Sequence, residues 1–175
     1  MERLPKIVTA LGAFAVVLMV VLAAGCSPKQ TEVSSPGTDF RDFSLATSRP
    51  YHTPEDAVAH RDTWHNIRVN DVGIDSYLGR NATVPVGTVV IKEDFANADG
   101  APGDFQKYLV MAKMAPGYDP DNGDWYYSVR MPDDQPVEMN GMKMEGRIPM
   151  CVGCHTRVAA TDYLFGPPDS VRVER

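Results

Sequence analysis

The sequence predicts an α+β domain that is mainly antiparallel β-sheet with a few short helices. Three segments rich in β-branched and aromatic residues predict strands, over residues 87–95, 108–114 and 125–131. The last two are separated by a stretch dense in turn residues, Ala-Pro-Gly-Tyr-Asp-Pro-Asp-Asn-Gly-Asp, which indicates a hairpin with a long loop. The 14 Gly and 14 Pro among 175 residues favour many turns and short elements, which agrees with this fold class.

Local signals predict the remaining elements. Thr53, Pro54 and Glu55 favour a helix start, because a capping hydroxyl is followed by a proline in the first turn and an acid. Gly79 favours the end of a second helix. In chain order we expect a helix over 53–62, a strand over 65–69, a helix over 71–78, an irregular Met-rich stretch over 132–149 and a helix over 151–160.

The first 25 residues have the pattern of an export signal. Arg3 and Lys6 precede an apolar run over residues 7–22, and small residues follow up to Cys26. This order is typical of a secretory signal, and the apolar run is short for a membrane span. The run 22–26, Leu-Ala-Ala-Gly-Cys, resembles the lipobox of bacterial lipoproteins, which implies cleavage before Cys26 and lipid on its thiol. An uncleaved N-terminal anchor is the alternative.

These signals predict the domain organisation. We expect a lipoprotein signal peptide over 1–25, a flexible polar linker over 26–50 and one folded domain over 51–175. With either kind of anchor the domain is tethered to a membrane outside the cytoplasm, in the periplasm or another extracytoplasmic space.

Charge and cysteine count exclude several classes of protein. The net charge is −6 and no basic stripe is present, so nucleic acid is not an expected partner. Three Cys and four His are too few for a disulfide scaffold, a multi-metal protein or a multi-haem protein.

The sequence Cys151-Val152-Gly153-Cys154-His155 is a C-x-x-C-H motif. One helical turn puts both sulfurs where they can form thioethers with the two vinyl groups of a haem, and the following histidine lies under the iron. We therefore predict one covalent haem c, bound by Cys151 and Cys154, with His155 as its proximal ligand. Predicted export agrees with this, because c-type haem is attached outside the cytoplasm.

Other interpretations of the C-x-x-C-H motif have less support in the sequence. A redox C-x-x-C pair is expected near the start of a βαβ unit, which this region does not resemble. A structural zinc site needs about four ligands, and the chain has no second Cys pair. A disulfide between Cys151 and Cys154 would close a very small strained loop.

The motif does not identify the sixth iron ligand, and the identity of that ligand decides between electron transfer, gas binding and catalysis. Methionine is also a common filler of apolar pockets, so a methionine near the motif is not by itself a ligand. The candidates are Met131, Met139, Met142, Met144, Met150, His52, His60 and His65.

Several segments occur together in an order that resembles the cytochrome P-460 family, which includes cytochrome c′-beta. The resemblance covers residues 60–166. It rests on Trp-His-Asn-Ile-Arg-Val-Asn at 64–70, Gly-Thr-Val-Val-Ile-Lys-Glu at 87–93, Met-Ala-Lys at 111–113, Gly-Asp-Trp at 123–125, the C-x-x-C-H motif, and Thr-Asp-Tyr-Leu-Phe at 161–165.

The resemblance implies a mostly antiparallel β fold, a homodimer and a high-spin iron with an open distal side. It also implies one of two functions. Cytochromes P-460 oxidise hydroxylamine to nitrous oxide or nitric oxide, pass electrons to a partner cytochrome, and carry a bond between a lysine and the porphyrin. Cytochromes c′-beta lack that bond and bind nitric oxide or carbon monoxide without turnover. A simple electron carrier is a third reading, but it needs a stable sixth ligand, which the resemblance disfavours.

Two further residues are candidates for catalysis. Lys92 stands where the cross-linking lysine of the enzyme type belongs, and strand alternation places it on one face with Thr88 and Val90. A solvated lysine is the alternative. Hydroxylamine oxidation also needs a proton acceptor near the iron. Glu145 is the candidate that we select, with Asp94 and His65 as others.

Overall fold

The computed structural model describes residues 37–55, 57 and 59–175, so the predicted signal peptide and Cys26 lie outside the described residues. A seven-stranded antiparallel sheet dominates the described part of the chain. Its strands are β1 (Ser44–Leu45), β2 (Tyr51–Thr53), β3 (Thr63–Val69), β4 (Val89–Ala98), β5 (Ala101–Lys113), β6 (Trp125–Arg130) and, after a small separate hairpin, β9 (Glu145–Gly146). The hairpin consists of β7 (Glu138–Met139) and β8 (Met142–Lys143).

The sheet follows the order β1-β3-β4-β5-β6-β9, and β2 pairs with the other part of the β3 edge. The helices are short: α1 (Ile74–Leu78), α2 (Pro149–His155), and 3-10 turns at Gly37–Asp42, Pro120–Asn122, Thr156–Thr161 and Asp169–Val171. The prediction of an α+β fold with mainly antiparallel sheet and a few short helices is confirmed.

The strand predictions hold because their side chains alternate between two faces of the sheet. The register Ile67–Lys92–Leu109–Val129 puts these four side chains on one face, called here the Lys92 face. Ile91, Val110 and Ser128 lie on the opposite face, called here the Ile91 face.

Each face carries its own apolar cluster. The larger one covers the Lys92 face and consists of Ala46, Ile67, Val69, Ile74, Tyr77, Val84, Val90, Met111, Trp125, Tyr127, Met144, Ile148 and Leu164. The smaller one covers the Ile91 face and consists of Phe40, Ile91, Tyr108 and Val110. Cys151 and Val152 of α2 pack against the larger cluster, so α2 lies over the Lys92 face.

The predicted linker is too long. Residues 37–50 belong to the folded domain, because Phe40 is buried against the sheet and β1 pairs with β3. Ala46 and Thr47 are also fully buried. These few apolar residues bury against strands far away in sequence, which their polar surroundings do not indicate.

The predicted helix over 53–62 is wrong. Tyr51–Thr53 pair with β3 instead, and Thr53 uses its hydroxyl to contact His65 rather than to cap a helix. His60 and Asp62 then adopt left-handed backbone with φ of 55° and 50°, which a helix does not allow. Tertiary pairing therefore overrides the local helix signal at Thr53.

The remaining differences are small. The helix predicted over 71–78 is present from Ile74, and the helix predicted over 151–160 starts at Pro149 and becomes a 3-10 turn after His155. The stretch 132–149 is not wholly irregular, because it contains the two-residue strands β7, β8 and β9. No helix among the described residues is long and apolar enough to cross a membrane.

Candidate functional site

The helix α2 presents the C-x-x-C-H motif to the Lys92 face of the sheet. Pro149 occupies the first turn of α2, where its missing N–H leaves no unpaired donor, and Ile148 before it is extended and buried. Cys151 and Cys154 are one turn apart, half-buried, and both are free thiols. The Cys151–Cys154 disulfide is therefore not formed.

His155 is held in one orientation by a single hydrogen bond. Its Nδ1 lies 2.7 Å from the carbonyl oxygen of Tyr163, and because a carbonyl only accepts, Nδ1 must carry the proton. The free electron pair is then on Nε2, the nitrogen that a metal would take. The ring is flanked by Tyr127 and Phe165, at ring-centre distances of 5.4 Å and 5.1 Å.

Electrostatics keep His155 in the neutral form that ligation needs. Burial lowers the pKa of His155 below its usual range, and the Tyr163 carbonyl opposes this only in part. Electrostatic repulsion from His60 and Lys92 lowers the pKa of His155 further.

Lys92 lies on the same side of the sheet as α2. Burial lowers the pKa of its amine to about 8, although Asp94 and Cys154 favour the charged form. Lys107 adds to the lowering. Lys92 is therefore half-buried rather than fully solvated, and its amine is partly neutral near physiological pH.

Next to Lys92 on β4 is a buried acid–histidine pair. The Oδ1 atom of Asp94 lies 2.7 Å from Nδ1 of His65, and both side chains are fully buried. Nε2 of His65 lies 2.8 Å from the hydroxyl of Thr53 and 3.1 Å from that of Thr63. Both ring nitrogens of His65 are thus engaged, and His65 has no nitrogen left for iron.

The second oxygen of Asp94 has weaker partners. Oδ2 is buried and makes no hydrogen bond among the described residues. Its nearest basic groups are Lys107 Nζ at 3.6 Å and His60 Nδ1 at 3.9 Å. Burial alone would raise the pKa of Asp94, but His60, His65 and Lys92 together hold it well below its usual range. Asp94 is therefore ionised.

The structure does not bring Glu145 to the site. Glu145 pairs with Ser128 in the sheet register, and Ser128 lies on the Ile91 face, opposite Lys92 and α2. Its Oε2 contacts Arg130 Nη2 at 3.2 Å. Glu145 is near Cys151 in sequence but on the wrong side of the sheet, so we do not retain it as the proton acceptor.

The other sixth-ligand candidates are scattered. Met144 is buried in the core. His52 contacts Asp62 at 3.1 Å on the outer part of the sheet edge. The exposed methionines are Met131, Met139, Met142 and Met150. Of the candidate histidines, His60 has the loosest ring contact, 3.9 Å from its Nδ1 to Asp94 Oδ2, whereas the rings of His52 and His65 make close hydrogen bonds.

The residues present fit a haem. The hydroxyl of Tyr127 is buried beside Cys151 without a hydrogen bond, and Phe165 and Met150 near the motif are 46% and 61% exposed, as expected of groups that a large apolar ligand would cover. Burial and the neighbouring Cys154 raise the pKa of Cys151 to about 11, the opposite of a redox C-x-x-C pair. No cluster of three or more metal-ligating side chains suitable for a bare metal ion occurs in the described part of the chain.

Sequence reasoning missed one element of the site, the turn after α2. Asp162 and Tyr163 both have left-handed backbone, with φ of 51° and 63°, and it is this turn that aims the Tyr163 carbonyl at His155. The short motif Thr-Asp-Tyr-Leu-Phe at 161–165 contained the signal, but its partners are far away in the sequence.

Comparison with known proteins agrees with this site. No curated protein matches the chain at a significant level. A family model, cytochrome P460, matches residues 38–166, which covers most of the chain and includes β1 through the turn after α2. The chain belongs to the cytochrome P460 family and is a haem protein of that family.

Proposed function

We propose that the protein binds one haem c covalently and oxidises hydroxylamine to nitrous oxide or nitric oxide. The observation that carries the proposal is Lys92: a half-buried amine of lowered pKa, about 8, on the sheet face that α2 covers and within electrostatic range of Cys154. A lysine in this position is where the family resemblance expects the bond to the porphyrin.

The haem-binding roles follow from the motif. Cys151 and Cys154 would form the thioethers, and His155 would ligate the iron through Nε2, since its Nδ1 is committed to Tyr163. When bound, the haem supplies the centre at which a small nitrogen compound binds and from which electrons leave.

Lys92 has the properties that a bond to the ring requires. Only the neutral amine is a nucleophile, and a pKa of about 8 leaves a sizeable neutral fraction at pH 7–8. Replacing a ring C–H bond by a C–N bond releases two protons and two electrons. Formation of the cross-link therefore needs an external two-electron oxidant, such as a peroxide.

Oxidation of hydroxylamine releases protons together with electrons, so a proton acceptor must lie near the iron. We assign this role to His60, supported by Asp94. His60 is partly exposed, and its Nδ1 lies 3.9 Å from the buried Oδ2 of Asp94, which shares the Lys92 face. The negative charge of Asp94 would stabilise the cation that His60 forms.

The cellular setting is part of the proposal. Lipid on Cys26 would tether the domain outside the cytoplasm, a partner cytochrome would take the electrons, and the protein would be a homodimer like the family that it resembles. The composition of the first 26 residues and the resemblance support these points.

The visible spectrum tests the proposal directly. We would mature the full chain with haem, purify it in detergent, reduce it with dithionite and record the Soret band. A band far to the red of ordinary c-type haem, lost in Lys92→Met and kept in the exposed-lysine control Lys143→Met, together with hydroxylamine turnover, is the expected result. A normal high-spin c-type band in the parent protein would refute the cross-linked enzyme.

That second outcome would favour binding of nitric oxide or carbon monoxide without turnover. The specific support for this alternative is the apolar pair Leu109 and Val129: Leu109 pairs with Lys92, Val129 pairs with Leu109, and both are half-buried on the Lys92 face. Apolar walls suit an uncharged diatomic ligand. A sharp low-spin spectrum would contradict both functions and indicate an electron carrier.

A further inference from the structure

The turn that follows α2 is strained and firmly anchored. Asp162 and Tyr163 are consecutive non-glycine residues with positive φ, of 51° and 63°. Such backbone costs about 1–3 kcal/mol per residue and persists only where the surroundings impose it. For Asp the left-handed region is tolerated, whereas for Tyr it is uncommon.

The surroundings that impose it converge on the carboxylate of Asp162. Its Oδ1 accepts hydrogen bonds from Lys113 Nζ at 2.6 Å and from Trp125 Nε1 at 3.4 Å. Its Oδ2 accepts from the backbone N–H of Val84 at 2.8 Å. The carboxylate is 5% exposed and thus ties the turn to β5, to β6 and to the loop before β4.

The partners of Asp162 are themselves fixed. The Lys113 amine lies 5.1 Å from the centre of the Trp125 ring, and Trp125 is fully buried in the larger apolar cluster. The ring of Tyr163 packs on Gly123, where a Cβ atom would come within 2.5 Å of the Tyr163 ring. The Tyr163 backbone is therefore held from both sides.

The Tyr163 carbonyl is the acceptor of the His155 Nδ1–H bond, at 2.7 Å. We propose that Asp162 is a positioning residue for the iron ligand: bound to Lys113, Trp125 and Val84, it locks the left-handed turn that aims this carbonyl at His155. The inference rests on the proposed axial role of His155 but not on hydroxylamine oxidation.

The consequence at the iron follows from the direction of this bond. A histidine that donates Nδ1–H to a strong acceptor has a more basic Nε2, binds iron more firmly and stabilises the ferric state. Loosening the turn would weaken the bond between iron and His155 and raise the reduction potential. Loss of such an outer contact of a metal-bound histidine typically costs about 10–100-fold in affinity or activity.

The test is Asp162→Asn in the full-length, haem-loaded protein. Asn keeps the size and the left-handed preference of Asp but removes the charge that binds Lys113. We expect a lower iron–histidine stretching frequency and a higher reduction potential. We also expect the nitric oxide-bound form to convert from six- to five-coordinate about tenfold faster than in the parent. Haem content should remain that of the parent.

Two controls separate positioning from general damage. Asp169→Asn removes an exposed acid of the same C-terminal segment, which pairs with Arg80 and Arg172, and should leave all three readouts unchanged. Tyr163→Phe keeps the carbonyl and loses only the 3.4 Å contact of the hydroxyl with Asp121, and it should also match the parent.

If Asp162→Asn does not fold, the double variant Lys113→Met with Asp162→Asn takes its place, because removing both members of a buried pair leaves no unpaired charge. Parent-like frequency, potential and conversion rate in whichever variant folds would overturn the inference. These shifts in a protein without hydroxylamine turnover would support it while the proposed enzyme fails. A chain that takes up no haem on His155 would overturn both.

Discussion

Two buried acids on the Lys92 side of the molecule, Asp162 and Asp94, have opposite hydrogen-bonding environments. Asp162 has hydrogen-bond donors on both oxygens, all from residues that are fixed by packing. Asp94 has one oxygen bonded to His65, while the other is buried without a hydrogen bond, between Lys107 and His60. A buried carboxylate with hydrogen bonds on both oxygens stabilises the fold, whereas one with an oxygen that lacks a hydrogen bond can still accept a proton or a new partner. Asp162 anchors the turn that contacts His155, the proposed proximal ligand, and Asp94 lies beside Lys92 and His60, the residues proposed to act in catalysis.

Breaking the satisfied pair should have the largest effect on stability. Lys113→Met leaves the buried carboxylate of Asp162 without its cation, so we expect a loss of about 3–5 kcal/mol in the free energy of unfolding. The double variant with Asp162→Asn should recover most of this loss. Urea unfolding of the haem-loaded proteins measures both, and a single variant as stable as the parent would show that the pair contributes little.

The Lys92 amine should make formation of the cross-link pH-dependent. Because burial lowers the pKa of Lys92 to about 8, the neutral fraction rises about tenfold per pH unit below that value and then saturates. The rate at which the red-shifted Soret band appears, at fixed excess of peroxide, should therefore rise from pH 6 and level off near pH 8. A rate that still climbs tenfold per unit up to pH 10 would indicate an ordinary solvated lysine.

Asp94, whose Oδ2 makes no hydrogen bond within the described part of the chain, should make a smaller, pH-dependent contribution to the free energy of unfolding. Burial raises the pKa of Asp94, but the side-chain contacts with His60 and His65 and the charge of Lys92 outweigh burial, so the pKa in the folded protein lies below its ordinary 3.8. Its contribution to stability is then fully present above about pH 4 and is lost as the pH falls toward the folded value. Asp94→Asn should cost about 1–3 kcal/mol at pH 7 and flatten the loss of stability in acid. Equal acid sensitivity of parent and variant would argue against an ionised Asp94.

Much of this fold was accessible from the sequence, for identifiable reasons. Strands β3 to β6 were predicted because β-branched and aromatic residues alternate there, and the C-x-x-C-H motif located α2. Residues 37–50 were mistaken for linker because their few buried side chains, such as Phe40 and Ala46, pack against residues that are distant in the sequence. The helix predicted at Thr53 failed because pairing with β3 outweighs a local capping signal.

The site was less accessible, since it depends on which face a side chain occupies. Alternation along β4 correctly grouped Lys92 with Val90, a local inference over three residues. For Glu145, closeness to Cys151 in the chain gave no information about the face. The anchor of Asp162 could not be predicted, because Val84, Lys113 and Trp125 come from three separate segments.

Glu145 differs from both buried acids because it is exposed and lies on the other face of the sheet. Its substitution should have the smallest effect on the spectrum and on turnover. Its side chain is 37% exposed and pairs with Arg130 on the Ile91 face, away from α2. Arg130 is largely buried and also contacts Asp134, so losing the Glu145 charge leaves Arg130 with an acidic partner, and the change lies on the face opposite α2. Glu145→Gln should therefore leave the Soret band and hydroxylamine turnover within about twofold of the parent, while His60→Gln, the matched change at the assigned acceptor, lowers turnover by about 10²-fold or more. If Glu145→Gln lost turnover and His60→Gln did not, the proton acceptor would lie on the Ile91 face, and the assignment of His60 and Asp94 to proton transfer would be wrong.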